Sequence, residues 1–333
     1  MLKKQFFLKI LVIFINAISL DIYAAAAIEK PVVRLGNLKF APYGAVSYVK
    51  ELAPSCGIHV EEHIYSSGTE IMAAMAAKEI DVGASTAEVA ITGRAYGVPI
   101  YVVAGIAKGG VRLVARTGLN IRTLQDLRRR KIGVTRGGAQ ELFLYTRLNQ
   151  AGLLNNQILG RDIQIIDMPL SELNQALSDK TIDAMVQSEP DATQAINQGK
   201  GFELAKSYRE LAIGEPIRVL VMAEKFYEEK HTAAAKFMEC FLRAMQVFTD
   251  KPDVAQRYIR QIIFQGQLSE TDFHDATASF ANNVQIDVQQ IQTITELMGK
   301  YHIGKLPYPS LPKASEWVKT DLLKNVRTNS RGE

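Results

Sequence analysis

The sequence predicts an α/β protein of two similar lobes with mainly parallel central sheets, joined by a two-segment hinge, with a helical C-terminal tail on the first lobe. Three observations predict it. Residues 60–81, VEEHIYSSGTEIMAAMAAKEID, return as residues 162–183, DIQIIDMPLSELNQALSDKTID, at an offset of 102 without a gap. Glu70 then falls on Glu172, Ala74 on Ala176, Lys78 on Lys180, and Ile80-Asp81 on Ile182-Asp183. Each copy reads as a short strand, a hydroxyl residue, a helix, Ile-Asp and another strand. Around both copies, short apolar runs alternate with helix-length runs, which argues βαβ units and parallel pairing. Finally, the apolar runs at 111–115 and 217–222 read as strands that cross between the lobes, the paired segments of a hinge.

Taken in order, the first 27 residues carry Lys3 and Lys4, an apolar run over 10–20, then Tyr23 and four alanines. A positive start, a short apolar core and a small-residue exit make an export signal. A membrane span needs ~20 apolar residues, and this run is cut off by Lys9 and Asp21. The expected location is therefore periplasmic. Lobe one is expected over residues 28–114 and 218–325, lobe two over 115–217, and a frayed tail over 326–333.

In lobe one, strands are expected at 32–35, 59–65, 82–84 and 100–106, with helices at 45–52, 69–78 and 85–96. Pro54, Gly57, Gly97 and Pro99 mark the stops. In lobe two, Thr123 caps a short helix, strands follow at 131–134, 163–168 and 184–186, and helices at 141–151, from Glu172, and at 191–198. Beyond Glu224 the pattern is helical. Phe237, Phe241, Met245 and Phe248 form a stripe of helical period that reads as core contact. Pro252 opens a helix with Val254, Tyr258 and Ile262 on one face, and further helices are expected at 291–298 and 315–323.

Composition narrows the function. A hydrophobic fraction of 47% over 333 residues supports a real core. Net charge is +4, of which the leader holds +2, and no concentrated basic patch points to nucleic acid. The run from Arg128 to Lys131 reads as the solvated end of a helix. Cys56 and Cys240 read as two buried free thiols rather than a disulfide. They cannot form a thiolate cage, and the five histidines lack metal-ligand spacing, so neither metal nor cofactor is expected. A monomer is expected.

Both lobes place hydroxyls or glycines between a strand and the helix that follows. Helix N-termini carry unpaired N–H groups and bind anions, and in open α/β sheets these strand ends are where ligands sit. The candidate ligand residues are Phe40 and Tyr43; Ser67, Gly68 and Thr69; Ser85, Thr86 and Glu88; Arg136, Gly137, Gly138, Ala139 and Gln140; and Ser188 with Glu189. Ser67-x-x-Glu70 and Ser85-x-x-Glu88 also fit capping boxes. Ser67 is read equally as cap or ligand. For Glu88 capping is the favoured reading; facing the cleft, it would favour an amine on the ligand. Arg136 is either solvated or paired with an anion. Arg218, on a crossing strand, has a weaker claim. The stretch GVTRGGAQ lacks the lysine and spacing of a phosphate-binding loop, and no nucleophile motif stands out, so no catalytic residue is assigned.

FAPYGA, IDVGASTAEVAI, GVTRGGAQELFLYTRLNQAGL and IDAMVQSEPDATQAI resemble the periplasmic substrate-binding proteins of ABC importers, in the nitrate, sulfonate, taurine and thiamine-pyrimidine-precursor (NMT1-like) class. The resemblance implies a two-lobed fold that closes on a small anionic or zwitterionic solute and delivers it to a membrane permease. It also implies ligand contacts from the loops named above. Sulfonate binders of this class often carry a Ser/Thr run where this chain has Gly138, Ala139 and Gln140. The pyrimidine-synthesising enzymes of the fold carry a cysteine-rich motif that this chain lacks. The alternatives are an exported enzyme on the same fold and a ligand-sensing subunit for a membrane receptor.

Overall fold

The computed structural model describes residues 30–155, 158–159, 163–204, 217–307 and 310–329. The expected export signal, and the last four residues of the expected tail, lie outside the described residues. The first repeat copy sits in a run of strands and helices: β1 (Val32–Leu38), α1 (Gly44–Leu52), β2 (His59–Tyr65), α2 (Gly68–Ala76), β3 (Val82–Thr86), α3 (Ala87–Ala95) and β4 (Ile100–Gly109). Then come β5 (Val111–Arg116), β6 (Lys131–Val134), α4 (Ala139–Gln150) and the hairpin β7 (Leu154–Asn155) and β8 (Ile158–Leu159). The second copy supplies β9 (Gln164–Asp167), α5 (Leu170–Ser178) and β10 (Ala184–Ser188), followed by α6 (Asp191–Asn197) and β11 (Gly201–Glu203). Strand β12 (Ile217–Ala223) comes next.

Two sheets result, and they are built alike. In lobe one the order is β13-β4-β12-β3-β1-β2, where β13 is Phe280–Asn282 of the tail; in lobe two it is β11-β5-β10-β6-β9. Each holds three parallel strands (β2-β1-β3 and β9-β6-β10), as expected of βαβ units. Beside them run the two strands expected to cross, each confined to one sheet: β12 lies antiparallel on β3 in the first, and β5 antiparallel on β10 in the second. The sheets are therefore mixed.

The repeat holds at atomic detail. Lys78 and Lys180 end their helices at φ of 61° and 62°, the left-handed residue that closes a helix. Asp81 Oδ2 accepts from Arg34 N at 3.0 Å, and Asp183 Oδ2 from Lys131 N at 3.1 Å, tying each Ile-Asp to its lobe's first strand. Gly36 and Gly133 stand at matching places in β1 and β6. A methyl on either would come within 2.5 Å of Ile80 Cδ1 or 2.7 Å of Ile182 Cδ1. Only glycine lets the paired isoleucines pack down on the strand.

The tail comprises α7 (Glu224–Glu229), α8 (His231–Asp250), α9 (Pro252–Arg257), a π-helical turn (Tyr258–Ile263), α10 (Glu270–Thr277), β13, α11 (Val288–Lys300), α12 (Ala314–Trp317) and α13 (Asp321–Asn329). The stripe of α8 is core, as its period predicts: Phe237, Phe241, Met245 and Phe248 are buried. Helix α8 lies along α1 and the turn Ala53–Cys56 of lobe one. That packing corrects the reading of the cysteines. Cys56 and Cys240 form a disulfide, their Cα atoms 5.9 Å apart across a separation of 184 residues. Nothing in their spacing along the chain signals it.

Other differences have local causes. The π-helical turn rotates the helix face after Tyr258, so Tyr258 is buried while Ile262 is exposed. The helix expected over 315–323 is split, because Val318 bridges to Val102 of β4. Helix α13 continues through Asn329, past the start of the expected frayed tail, docked by buried Leu322 and Leu323. The tail also reaches lobe two: Asn197 Nδ2 donates to Asp272 and Asp275 of α10, at 2.9 and 3.1 Å.

Candidate functional site

The lobe-one wall is assembled from three strand ends. After β1, a tight turn begins at Phe40, and Tyr43 N donates to Phe40 O at 3.0 Å. This folds the partly buried Phe40 and the buried Tyr43 onto the core. After β2, Ser67 caps α2, its hydroxyl accepting from Glu70 N at 3.3 Å. Glu70 reaches back to Ser66 N, at 3.0 Å, and to the Ser66 hydroxyl, so its box closes one residue earlier than expected. Gly68 and Thr69 open α2.

After β3 the cap is Thr86, not Ser85. The Thr86 hydroxyl accepts from Val89 N at 3.4 Å, because β3 continues through Thr86 and holds Ser85 inside the sheet against Val219. The Ser85-to-Glu88 capping box therefore does not form. Ser85 Oγ and Glu88 Oε2 are buried without a protein partner. Burial pushes the Glu88 carboxyl up to about 7, against the opposing pull of its own backbone N–H, the Thr86 hydroxyl and the nearby Arg218. Burial likewise pushes the Tyr43 phenol up to about 12, with Arg218 opposing and Glu88 adding.

The lobe-two wall is braced by Glu141, a residue that sequence reasoning missed. Its buried carboxylate accepts from Arg136 Nε and from Gly137 N, both at 2.7 Å. Arg136 is thus engaged by the protein. Gly137 takes φ of 83°, and Gly138 caps α4 without any side chain. The first-turn N–H groups of α4, from Ala139 onward, have no intrahelical acceptor. Gln140 Nε2 donates to Ser188 Oγ at 2.8 Å, joining the loops after β6 and β10.

Glu189 is fully engaged by protein groups. Arg112 Nε stands 2.5 Å from its Oε1, the Ser279 hydroxyl donates to Oε1 at 3.0 Å, and Thr193 N donates to Oε2 at 3.1 Å. Burial nonetheless raises the Glu189 carboxyl, with Arg112 opposing.

The walls meet at Val89, in the first turn of α3. A methyl on Gly68 would stand 3.3 Å from Val89 Cγ1, and one on Gly138 would stand 3.5 Å from Val89 Cγ2. Loops from both lobes therefore face one another across the tip of α3.

Arg218 lies at the base of this region. Its guanidinium carbon is 5.9 Å from the Tyr43 ring centre. Nη2 donates to Gly110 O at 3.0 Å and Nη1 to Gly109 O, while Nε has no partner. Gly109 and Gly110 take φ of 87° and 73°, where the chain passes from β4 into β5. Arg112 and Arg218 are each the second residue of a crossing strand. An arginine inside an apolar run was the signal available for both, since a buried guanidinium needs partners.

Among the described residues, no group of three or more His, Cys, Asp or Glu side chains is placed to hold a metal ion. None of the described helices is long and apolar enough to cross a membrane.

A family model for the NMT1-like family matches residues 26–263. No curated protein matches the sequence. Solved structures share the fold at low identity. A zinc-bound ligand-binding component of an ABC-type import system from Staphylococcus aureus aligns with TM-score 0.76 and 17% identity, over 89% of this chain and 99% of its own. The alkanesulfonate-binding protein SsuA of Xanthomonas axonopodis pv. citri, bound to MOPS, gives 0.72 and 16%, over 88% and 99%. The periplasmic nitrate-binding protein NrtA of Synechocystis PCC 6803 gives 0.75 and 15%, over 90% and 89%.

Proposed function

Because the chain belongs to the NMT1-like family, we propose that it is the extracytoplasmic solute-binding component of an ABC-type importer. It captures a small anionic or zwitterionic solute between its lobes as a monomer and hands it to a membrane permease. The lobes follow the expected division, 28–114 with 218–325 against 115–217, with its first boundary moved to the glycine pair, because all of β5 (Val111–Arg116) pairs in the second sheet, and Ile217 joined to lobe one with β12. They close about the glycine pair Gly109 and Gly110.

One observation carries the reading: Gly68 of lobe one and Gly138 of lobe two face the same side chain, Val89. Behind Gly138, helix α4 begins without a side-chain cap, a setting that suits an anionic group. Charge-assisted hydrogen bonds contribute ~1.5–3 kcal/mol each. Four or five of them reach the roughly −8 kcal/mol of a micromolar site after ordering costs. A solute that touches both walls only when they are together favours the closed state.

The reading is non-catalytic. Cys56 and Cys240 are bonded to each other, which removes the thiol nucleophiles. Glu189 and Arg136, both expected ligands, serve instead to hold the site's frame. The resident contacts are Tyr43, Ser85, Glu88, Gly138, Ala139 and the Gln140–Ser188 pair. The test is mass spectrometry of the solute released on denaturing the purified chain, with calorimetry against nitrate, alkanesulfonates, aminosulfonates and pyrimidines. A bound solute returned unchanged after hours supports capture; conversion to a product would overturn it.

A further inference from the structure

We propose that the lobe-one wall is built to receive an N–H donor, so that the solute is an amino- or amide-bearing molecule and not a bare oxyanion. This deepens the binding-protein reading and rests on it. The inference comes from a contrast between two buried glutamates. Glu189 and Glu88 each lie just after the last parallel strand of a sheet, and each has an arginine of a crossing strand close by. In lobe two both oxygens of Glu189 accept protein hydrogen bonds, Oε1 from Ser279 and Oε2 from Thr193, with the Arg112 charge beside Oε1.

In lobe one the same parts are left open. Glu88 is 1% exposed, yet its Oε2 meets no protein donor. Arg218 is 3% exposed and spends both terminal nitrogens on the hinge carbonyls; its Nε, like that of Arg112, makes no hydrogen bond, so the two lobes differ at the glutamate and not at the arginine. Ser85 Oγ, fully buried, is also unmatched. Burying such groups unpaired is costly, and more so when they carry charge. The next residue after Glu88 is Val89, against which both lobes' glycine loops pack. Glu88 also interacts electrostatically with Tyr43 and Arg218, so the unmatched acceptor lies beside the base of the region where the lobes meet.

Burial favours the protonated Glu88, while the Thr86 hydroxyl, its own backbone N–H and the charge of Arg218 favour the ionised one; a solute amine adds to the second set and ionises the carboxyl as it binds. An ionised acceptor takes an N–H from the solute and repels an oxyanion placed against it. Arg218 Nε offers a donor to an acceptor atom on the same solute. Donor and acceptor together fit an amino or amide group with an electronegative neighbour. The anionic end, where present, goes to the uncapped start of α4.

The test uses the purified full chain and matched pairs differing by one amino group: taurine against ethanesulfonate, and 4-aminopyrimidine against pyrimidine, with nitrate alongside. Calorimetry is expected to show the amino member of at least one pair binding tenfold or more tightly than its partner. Glu88→Met, checked for folding by circular dichroism, is expected to narrow that preference to under threefold. The wild-type comparison stands even if the variant does not fold. A bare member or nitrate binding as tightly as the amino member, or a preference unchanged in a folded Glu88→Met, overturns the inference. So does release of a solute without any N–H on denaturing, which leaves the capture reading standing. A chain that binds no pair member and releases no solute overturns both.

Discussion

Glu88 puts function and stability in opposition. Its carboxyl is raised from 4.5 to about 7 by burial, so the folded chain holds a proton there that the unfolded chain has already lost. Stability from this group is highest below pH 4.5 and declines as pH rises toward 7. Glu88→Gln removes the penalty. The variant is expected to be more stable than wild type at pH 8 by roughly 3 kcal/mol, with little difference at pH 4. Chemical unfolding at the two pH values checks it; a variant less stable at pH 8 would contradict it. Asp191, raised to about 6 by burial and by Glu189, follows the same sign in both proteins and cancels in the comparison. Gly137 offers a second test. A methyl there meets no atom within 4 Å, so Gly137→Ala should cost about 1 kcal/mol through its left-handed backbone alone. Of these residues, Gly137 and Glu88 were legible as candidates. Glu141 was not, since a glutamate in a helix's first turn is ordinary and only the folded loop shows what it holds.

Helix α8 shows what an amphipathic period can and cannot reveal. The stripe of Phe237, Phe241, Met245 and Phe248 announces a buried face. It does not say which surface the helix covers, and so it could not pair Cys240 with Cys56. Closing a loop of 184 residues restricts the unfolded chain, and the double change Cys56→Ser with Cys240→Ser is expected to cost about 2–5 kcal/mol. A denaturant midpoint measured beside reduced wild type checks this, the two being expected to coincide. Phe241→Ala, on the same face and fully buried, should cost about 3–5 kcal/mol. Strand β13 escaped notice because its three residues form a strand only by pairing with Lys108 and its neighbours in β4. Three residues carry no period of their own.

At the scale of the molecule, the proposed closure turns on a passage of two glycines whose carbonyls are both held by Arg218. Gly110 N also donates to Ser279 O at 2.9 Å, and Glu189 N donates to Gly110 O at 3.1 Å. The glycine passage therefore touches Arg218, lobe two and the tail at once. Small-angle scattering is expected to show a smaller radius of gyration when the solute released from the protein is added back. In Arg218→Met, which leaves those carbonyls without the guanidinium, the same solute concentration should leave the radius at its ligand-free value. An undiminished response would separate Arg218 from closure.

Local pattern determined the repeat, the strand–helix alternation, the parallel cores of two sheets and the glycine loops that face one another, because hydrophobic period and turn chemistry are properties of neighbours along the chain. Only the tertiary structure decided which candidates are left without a protein partner. Glu88 and Glu189 read alike as carboxylates near helix starts. The pairing of Glu189 with Arg112 and Ser279, and the lack of any partner on Glu88 Oε2, arise from contacts between residues far apart in sequence, and hydrogen-bond satisfaction in a buried site is settled by those contacts alone.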